Sequence, residues 1–290
     1  MRLIHFLLPD DSRIRFGALH EETLFDLTDL VPAPDESRPC RGMNDRFNLD
    51  GDPLRNSAAH LTSQPTVDQS SIRLLAPVPR PGKVICIGLN YHDHAKESGM
   101  EPPPLPLVFT KFPSCIIGPD EPVVLPPGSS EVDYEAELAV VIGRKATRIN
   151  EADAFDHVLG YCAANDISAR DFQFADGQWQ RGKSCDTFCP LGPWIATTDE
   201  IPDPHALGIR LRLNDREVQS SNTEQLIFGV PRLIEFLSGF ITLYPGDVIL
   251  TGTPPGVGFA QDPPIYLKQG DSMDVEIDGL GTLRNPVIER

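Results

Sequence analysis

The sequence predicts a mixed, β-rich α/β fold, with a large unit over residues 76–290 and a small N-terminal α+β unit over residues 1–75. Three observations predict it. Apolar residues fall mostly in short runs rich in Val and Ile, bounded by Gly, Pro, Asp or Asn, as strands are. Helical periodicity is confined to a few segments. The pattern changes across Ala76-Pro77-Val78-Pro79-Arg80-Pro81-Gly82, whose prolines hold the chain extended, so it reads as a stiff linker.

In chain order, Arg2 to Leu8 and Thr23 to Leu30 read as strands in hairpins. Residues 45 to 72 are polar with almost no periodicity. Strands follow over Val84 to Ile87, Val123 to Leu125, Leu138 to Ile142, Ile209 to Leu213, Val248 to Thr251 and Met273 to Ile277. Glu151 to His157 reads as helix. Val230 to Phe240 is the better helix: Pro231 suits a first turn, Leu233, Ile234 and Leu237 line one face, and Gly239 sits near its end.

The 290 residues are enough to bury a real core. The 25 basic residues stand against 42 acidic ones, a net charge of −17. That field repels phosphate backbones and anionic membranes, so neither nucleic acid nor a membrane surface is an expected partner. No apolar stretch reaches the 18 or so residues of a membrane-spanning helix. The start, Met1 to Asp11, has a short apolar run broken by His5 and closed by acids. It is unlike a signal peptide and too acidic for an obvious transit peptide. A cytoplasmic location is therefore expected, or a mitochondrial one in a eukaryote. The six cysteines are scattered and read as reduced thiols. Cys185 and Cys189, with His92 and His94, leave a rival zinc-thiol reading.

The chemistry concentrates in three segments. In Asp133-Tyr134-Glu135-Ala136-Glu137-Leu138, Glu135 and Glu137 share one strand face, with Asp133 aligned to them. A solvated edge would explain this. However, Glu137 runs straight into an apolar strand, and buried carboxylates need a cation. An oxygen-only donor set suits Mg²⁺, Mn²⁺ or Ca²⁺. Asp166 ends the apolar run Leu159 to Ile167, and Ser168 looks like the cap of a helix carrying Arg170 and Asp171. Asp166 either lines a pocket or simply pairs with Arg170. In Gly88-Leu89-Asn90-Tyr91-His92-Asp93-His94-Ala95-Lys96-Glu97, His94 and Glu97 are three apart and share a face if helical. The pair suits acid–base chemistry, or is a solvent-facing polar turn.

Five ordered segments together give a resemblance. They are Ile87 to Tyr91 with His94 and Glu97, Asp133 to Leu138, Asn165 to Asp171, Gly182 to Phe188, and Tyr244 to Gly258. The sequence resembles the fumarylacetoacetate hydrolase family in its single-core-domain branch, from Lys83 to about Asn285. The N-terminal 75 residues match weakly.

The resemblance implies a β-sandwich or roll core, a homodimer, and one Mg²⁺ or Mn²⁺ held by Glu135, Glu137 and Asp166. It makes His94 and Glu97 a mobile acid–base pair and Lys183 the cation facing a developing enolate. It places Arg170, Gln173, Gly252 and Thr253 around a small anionic 2-oxo acid, with Phe172 to Arg181 as a candidate lid. Acylpyruvate-cleaving members often carry Arg where this chain has Leu89. The run Gln219-Ser220-Ser221-Asn222-Thr223 and the segment Gly182 to Pro190 resemble the domain-containing protein 2 branch. The expected activity is metal-dependent C–C cleavage of a 2-oxo or 2,4-dioxo acid. Oxaloacetate enol–keto tautomerisation or decarboxylation is the alternative, and an idle metal-binding homologue the distant one.

Overall fold

The computed structural model describes residues 1–30, 47–48 and 61–289. The N-terminal part supplies five strands: β1 (Arg2–Leu7), β2 (Arg15–His20), β3 (Thr23–Asp26), β4 (Thr66–Val67) and β5 (Arg73–Leu75). The first three pair in sequence order, as the hairpin reading expects. β3 ends earlier than the predicted Leu30. Asp26 Oδ1 accepts from the Thr28 N–H at 2.9 Å and turns the chain. The stretch read as a linker is a packed strap: Ala76 and Val78 are buried, and the Pro77 carbonyl meets His5 Nδ1 at 2.8 Å. Cys40 and residues 45–46 and 49–60 of the polar stretch 45–72 lie outside the described residues.

The rest of the chain runs β6 (Val84–Gly88), α1 (His92–Glu97), β7 (Leu107–Lys111), β8 (Ile116–Ile117), β9 (Val123–Leu125), β10 (Val132–Asp133), β11 (Ala136–Ile142), β12 (Val158–Asn165) and β13 (Ser168–Ala169). It continues with α2 (Arg170–Ala175), α3 (Gln180–Lys183), β14 (Cys189–Thr197), β15 (Gly208–Leu213), β16 (Arg216–Asn222), α4 (Val230–Ser238), β17 (Val248–Leu250), β18 (Ser272–Ile277) and β19 (Gly281–Glu289). A twelve-stranded sheet has the order β4-β3-β2-β1-β14-β12-β11-β17-β6-β7, with β5 on β1 and β8 on β14. Hydrogen bonds therefore cross the sequence boundary near residue 75, since β1 pairs with β14. A second sheet, β16-β15-β18-β19-β9, packs on β11, β12 and β14.

Every residue of β11 and β12 is buried, which is why Leu138 to Ile142 and Val158 to Ala164 read as apolar runs. β15 and β18 largely alternate buried with more exposed residues, as strands with one wet face do. Helix α4 buries Leu233, Ile234 and Leu237. Its Val230 N–H meets His205 Nε2 at 3.0 Å, and the Gly239 N–H returns to the Glu235 carbonyl at 3.1 Å. Glu151 to His157 forms 3₁₀ turns rather than an α-helix. Ser168 is not a helix cap. It pairs with Asp133 across β10 and β13, and its hydroxyl donates to the Asp166 carbonyl at 3.0 Å, leaving Ala169 as the cap of α2. Among the described residues no helix is long and apolar enough to cross a membrane.

Candidate metal centre and active site

The site grows from one end of the β11–β12 pair. Ala136 opposes Asn165, so Glu135 and Asp166 meet just beyond the ladder, where the Asp166 N–H donates to the Glu135 carbonyl at 2.9 Å. Asn165 Oδ1 accepts from the Glu135 N–H at 3.0 Å and steadies the junction. Glu137 lies one step inside β11. Glu135, Glu137 and Asp166 are all buried, and each offers an oxygen within 4.8 Å of the others. Asp133, expected alongside them, turns away: its two oxygens take Arg170 Nε at 2.7 Å and the Phe259 N–H at 2.9 Å.

Three buried cations face these acids. Lys183 Nζ lies 2.7 Å from Glu135 Oε2 and 3.0 Å from Asp166 Oδ2. Lys111 Nζ lies 2.5 Å from Asp166 Oδ1. Arg170 donates to Asp133, to Glu135 at 2.6 Å and to Gln173 Oε1 at 3.0 Å. Burial opposes ionisation of Glu135, yet Lys183 and Arg170 outweigh it and bring the carboxyl down to about 2. Among the described residues Glu137 has only the Gly252 N–H, at 2.7 Å. Burial, with Asp166 and Glu135 beside it, pushes its carboxyl well above the ordinary range. The four acids thus exceed the three cations by one charge, and the deficit falls on Glu137. A divalent cation among the three convergent carboxylates removes that deficit, and the all-oxygen donor set suits a hard ion. The residues therefore fit a divalent metal.

His94 and Glu97 share a face of α1, as expected, with Nδ1 3.0 Å from Glu97 Oε2. The other Glu97 oxygen accepts from the Gly256 N–H at 3.0 Å. Residues 252–256 therefore hold Glu137 at one end and Glu97 at the other. Gly252 has φ of +100°, and a Cβ there would lie 2.8 Å from the Asn90 Cβ, so glycine is required. Asn90 fastens this corner by donating to the Thr251 carbonyl at 2.8 Å. Leu89, with φ of +47°, holds the left-handed turn just before it.

Residues 83–288 match the family profile described as fumarylacetoacetate (FAA) hydrolase C-terminal. The chain belongs to the fumarylacetoacetate hydrolase family. It is 49% identical to a mitochondrial oxaloacetate tautomerase of Xenopus laevis, over 99% of this chain and 90% of that protein. It is 52% identical to a mitochondrial oxaloacetate tautomerase of Homo sapiens, over 77% of this chain and 72% of that protein. Among solved structures it resembles maleylpyruvate hydrolase from Sphingobium sp. SYK-6 in complex with manganese (II) ion and pyruvate. That likeness is 35% identity and a TM-score of 0.81, covering 100% of this chain and 99% of that one. The fumarylacetoacetate hydrolase of Exiguobacterium antarcticum gives 36% identity and a TM-score of 0.85 over 100% of both chains.

In this member of the fumarylacetoacetate hydrolase family, several expectations change. Asp166 pairs with two lysines, not with Arg170. Lys183 is buried, with its ammonium against Glu135 and Asp166. The single N–H of Gly252 is taken by Glu137, so Gly252 holds a cluster carboxylate rather than a substrate. At least three of the five Arg170 donors go to protein acceptors. Among the described residues the acidic trio is the one His/Cys/Asp/Glu group whose ligand atoms converge, so the zinc-thiol reading finds no support. Sequence reasoning missed Lys111. Its only signal is a basic residue closing the apolar strand Leu107–Lys111, and its partner is 55 residues away.

Proposed function

We propose that this protein is a divalent-metal-dependent enzyme that interconverts the enol and keto forms of oxaloacetate. The observation that carries the reading is the proton-transfer pair His94–Glu97, tied to the carboxylate cluster through the 252–256 turn. Relatives named as oxaloacetate tautomerases, at 49% and 52% identity, support the substrate.

Glu135, Glu137 and Asp166 would hold Mg²⁺ or Mn²⁺, which when bound draws electrons from a 2-oxo group and favours its enolate. Lys183 places an ammonium beside the same carboxylates and donates toward the enolate oxygen. His94 moves the proton: from enol to keto, the neutral imidazole takes the proton of the C2 hydroxyl and the resulting imidazolium gives it to C3, so the ring ends as it began, and keto to enol runs the two transfers in reverse. Glu97 stabilises the imidazolium and fixes which ring nitrogen works. Thr253 and Gln173 present a hydroxyl and an amide to the substrate's carboxylates. The candidate lid Phe172 to Arg181, exposed over residues 174–178, would cover them.

Hydrolytic C–C cleavage of a 2,4-dioxo acid is the second reading, favoured by the likeness to maleylpyruvate hydrolase. One experiment separates the two. Enol-oxaloacetate and an acylpyruvate are each given to the Mn²⁺-loaded protein, and the enol ultraviolet band and the carbon products are followed. The expected result is accelerated loss of the enol band with oxaloacetate conserved and the acylpyruvate uncut. Cleavage of the acylpyruvate without accelerated tautomerisation would replace the first reading by the second.

A further inference from the structure

Gln219 enters the site from the second sheet, on β16. Gln219 is buried and makes three hydrogen bonds through its side-chain amide. Its Oε1 accepts from the Ala136 N–H at 2.8 Å. Its Nε2 donates to the Pro254 carbonyl at 2.9 Å and to Thr253 Oγ1 at 2.9 Å. Two of these partners are unambiguous, because a backbone N–H only donates and a carbonyl only accepts. The amide therefore stands one way round, with its nitrogen toward Thr253.

This settles the direction of the Thr253 hydroxyl. It accepts from Gln219, so its own proton points elsewhere, and among the described residues no acceptor meets that proton. The place is specific. Ala136 lies between Glu135 and Glu137, and Gly252, next to Thr253, donates to Glu137. The unused proton belongs to a hydroxyl at the margin of the carboxylate cluster.

We propose that Gln219 is a positioning residue that locks Thr253 as a hydrogen-bond donor toward a carboxylate of an anionic ligand bound at the cluster. The proposal rests on the 2-oxo acid reading for the ligand's class, not for its reaction. A threonine hydroxyl alone can present either its proton or a lone pair, and a lone pair would repel a carboxylate. Gln219 removes that choice before the ligand arrives, so no rotor has to be ordered on binding. In a cluster already holding three carboxylates, a fixed neutral donor attracts an anion without displacing Lys183 from Glu135 and Asp166.

The test uses oxalate, which carries two adjacent carboxylates, titrated calorimetrically into the Mn²⁺-loaded full chain. Thr253→Val removes the hydroxyl. Gln219→Glu keeps an acceptor for Ala136 but sets an oxygen where the amide nitrogen stood, drawing the Thr253 proton backward. Each should weaken oxalate about tenfold or more, the scale of losing one hydrogen bond to a charged group. Mn²⁺ affinity should stay within about twofold. The KM for oxaloacetate should rise more than kcat falls, and Thr253→Ser should restore binding. The double variant should bind oxalate as Thr253→Val does. Multiplying losses in the double variant, or a parallel loss of Mn²⁺ affinity, would overturn the proposal. Unchanged oxalate affinity in Thr253→Val would overturn it even if Gln219→Glu failed to fold. Oxalate binding in the expected pattern by a protein that leaves enol-oxaloacetate untouched would keep this proposal and remove the proposed reaction.

Discussion

Glu137 is the residue on which the metal reading turns, because it alone of the trio lacks a cationic partner among the described residues. Removing either neighbouring carboxylate should dismantle the site. Glu135→Gln and Asp166→Asn are expected to abolish Mn²⁺ binding by calorimetry and to lower turnover at least about 100-fold, with the far-ultraviolet circular dichroism unchanged. His94→Ala and Glu97→Gln should each slow the reaction about 10²–10⁴-fold at nearly constant metal affinity. The double variant should be little worse than either single one, since the pair acts as a unit. Metal loss in His94→Ala would show that the imidazole is a ligand. Lys111→Met leaves Asp166 short of a buried partner and should cost about 3–5 kcal/mol in a denaturant titration. Glu135, Glu137, Asp166 and the His94–Glu97 pair are singled out by local patterns in the sequence, and Lys183 by the family resemblance. The roles of Lys111 and Gln219 were not legible there, because each acts on a residue far along the chain.

At the scale of elements, the central pair β11–β12 carries the site and should dominate stability. Leu138 is fully buried in β11, whereas Leu107 on the edge strand β7 is 45% exposed. Leu138→Ala should therefore cost about 2–5 kcal/mol of unfolding free energy and Leu107→Ala under about 1 kcal/mol. Comparable losses at the two positions in urea titrations would contradict the sheet order. Strand identity was readable where both faces are buried, because nothing polar interrupts the run. Strand ends were not. β3 stops at Asp26 because a side chain captures the turn, and Ser168 pairs across a two-residue ladder instead of capping α2. Both outcomes are contests between local and longer-range hydrogen bonds, which composition does not decide.

At the scale of the whole molecule, the metal should act as a folding ligand. A divalent ion that binds the folded cluster stabilises by about 2.7 kcal/mol at one hundred times its dissociation constant. Mn²⁺ should therefore raise Tm in differential scanning fluorimetry, EDTA should reverse it, and Asp166→Asn should erase the response. A response that survives in that variant would place the ion elsewhere. The twelve-stranded sheet spans both parts of the chain through β1 and β14, so the boundary near residue 75 is a boundary of pattern that the hydrogen bonding crosses.

The family is readable from the order of five short motifs, and the β-rich class, the central strands and the candidate carboxylates from residue type and local pattern. Only the tertiary structure decided which cation meets which acid, that Glu137 is left without one, that the presumed linker is a packed strap, and that Gln219 aims Thr253. Each of those depends on residues brought together from distant segments, and the energy of a buried charge is set by its neighbours in space rather than in sequence.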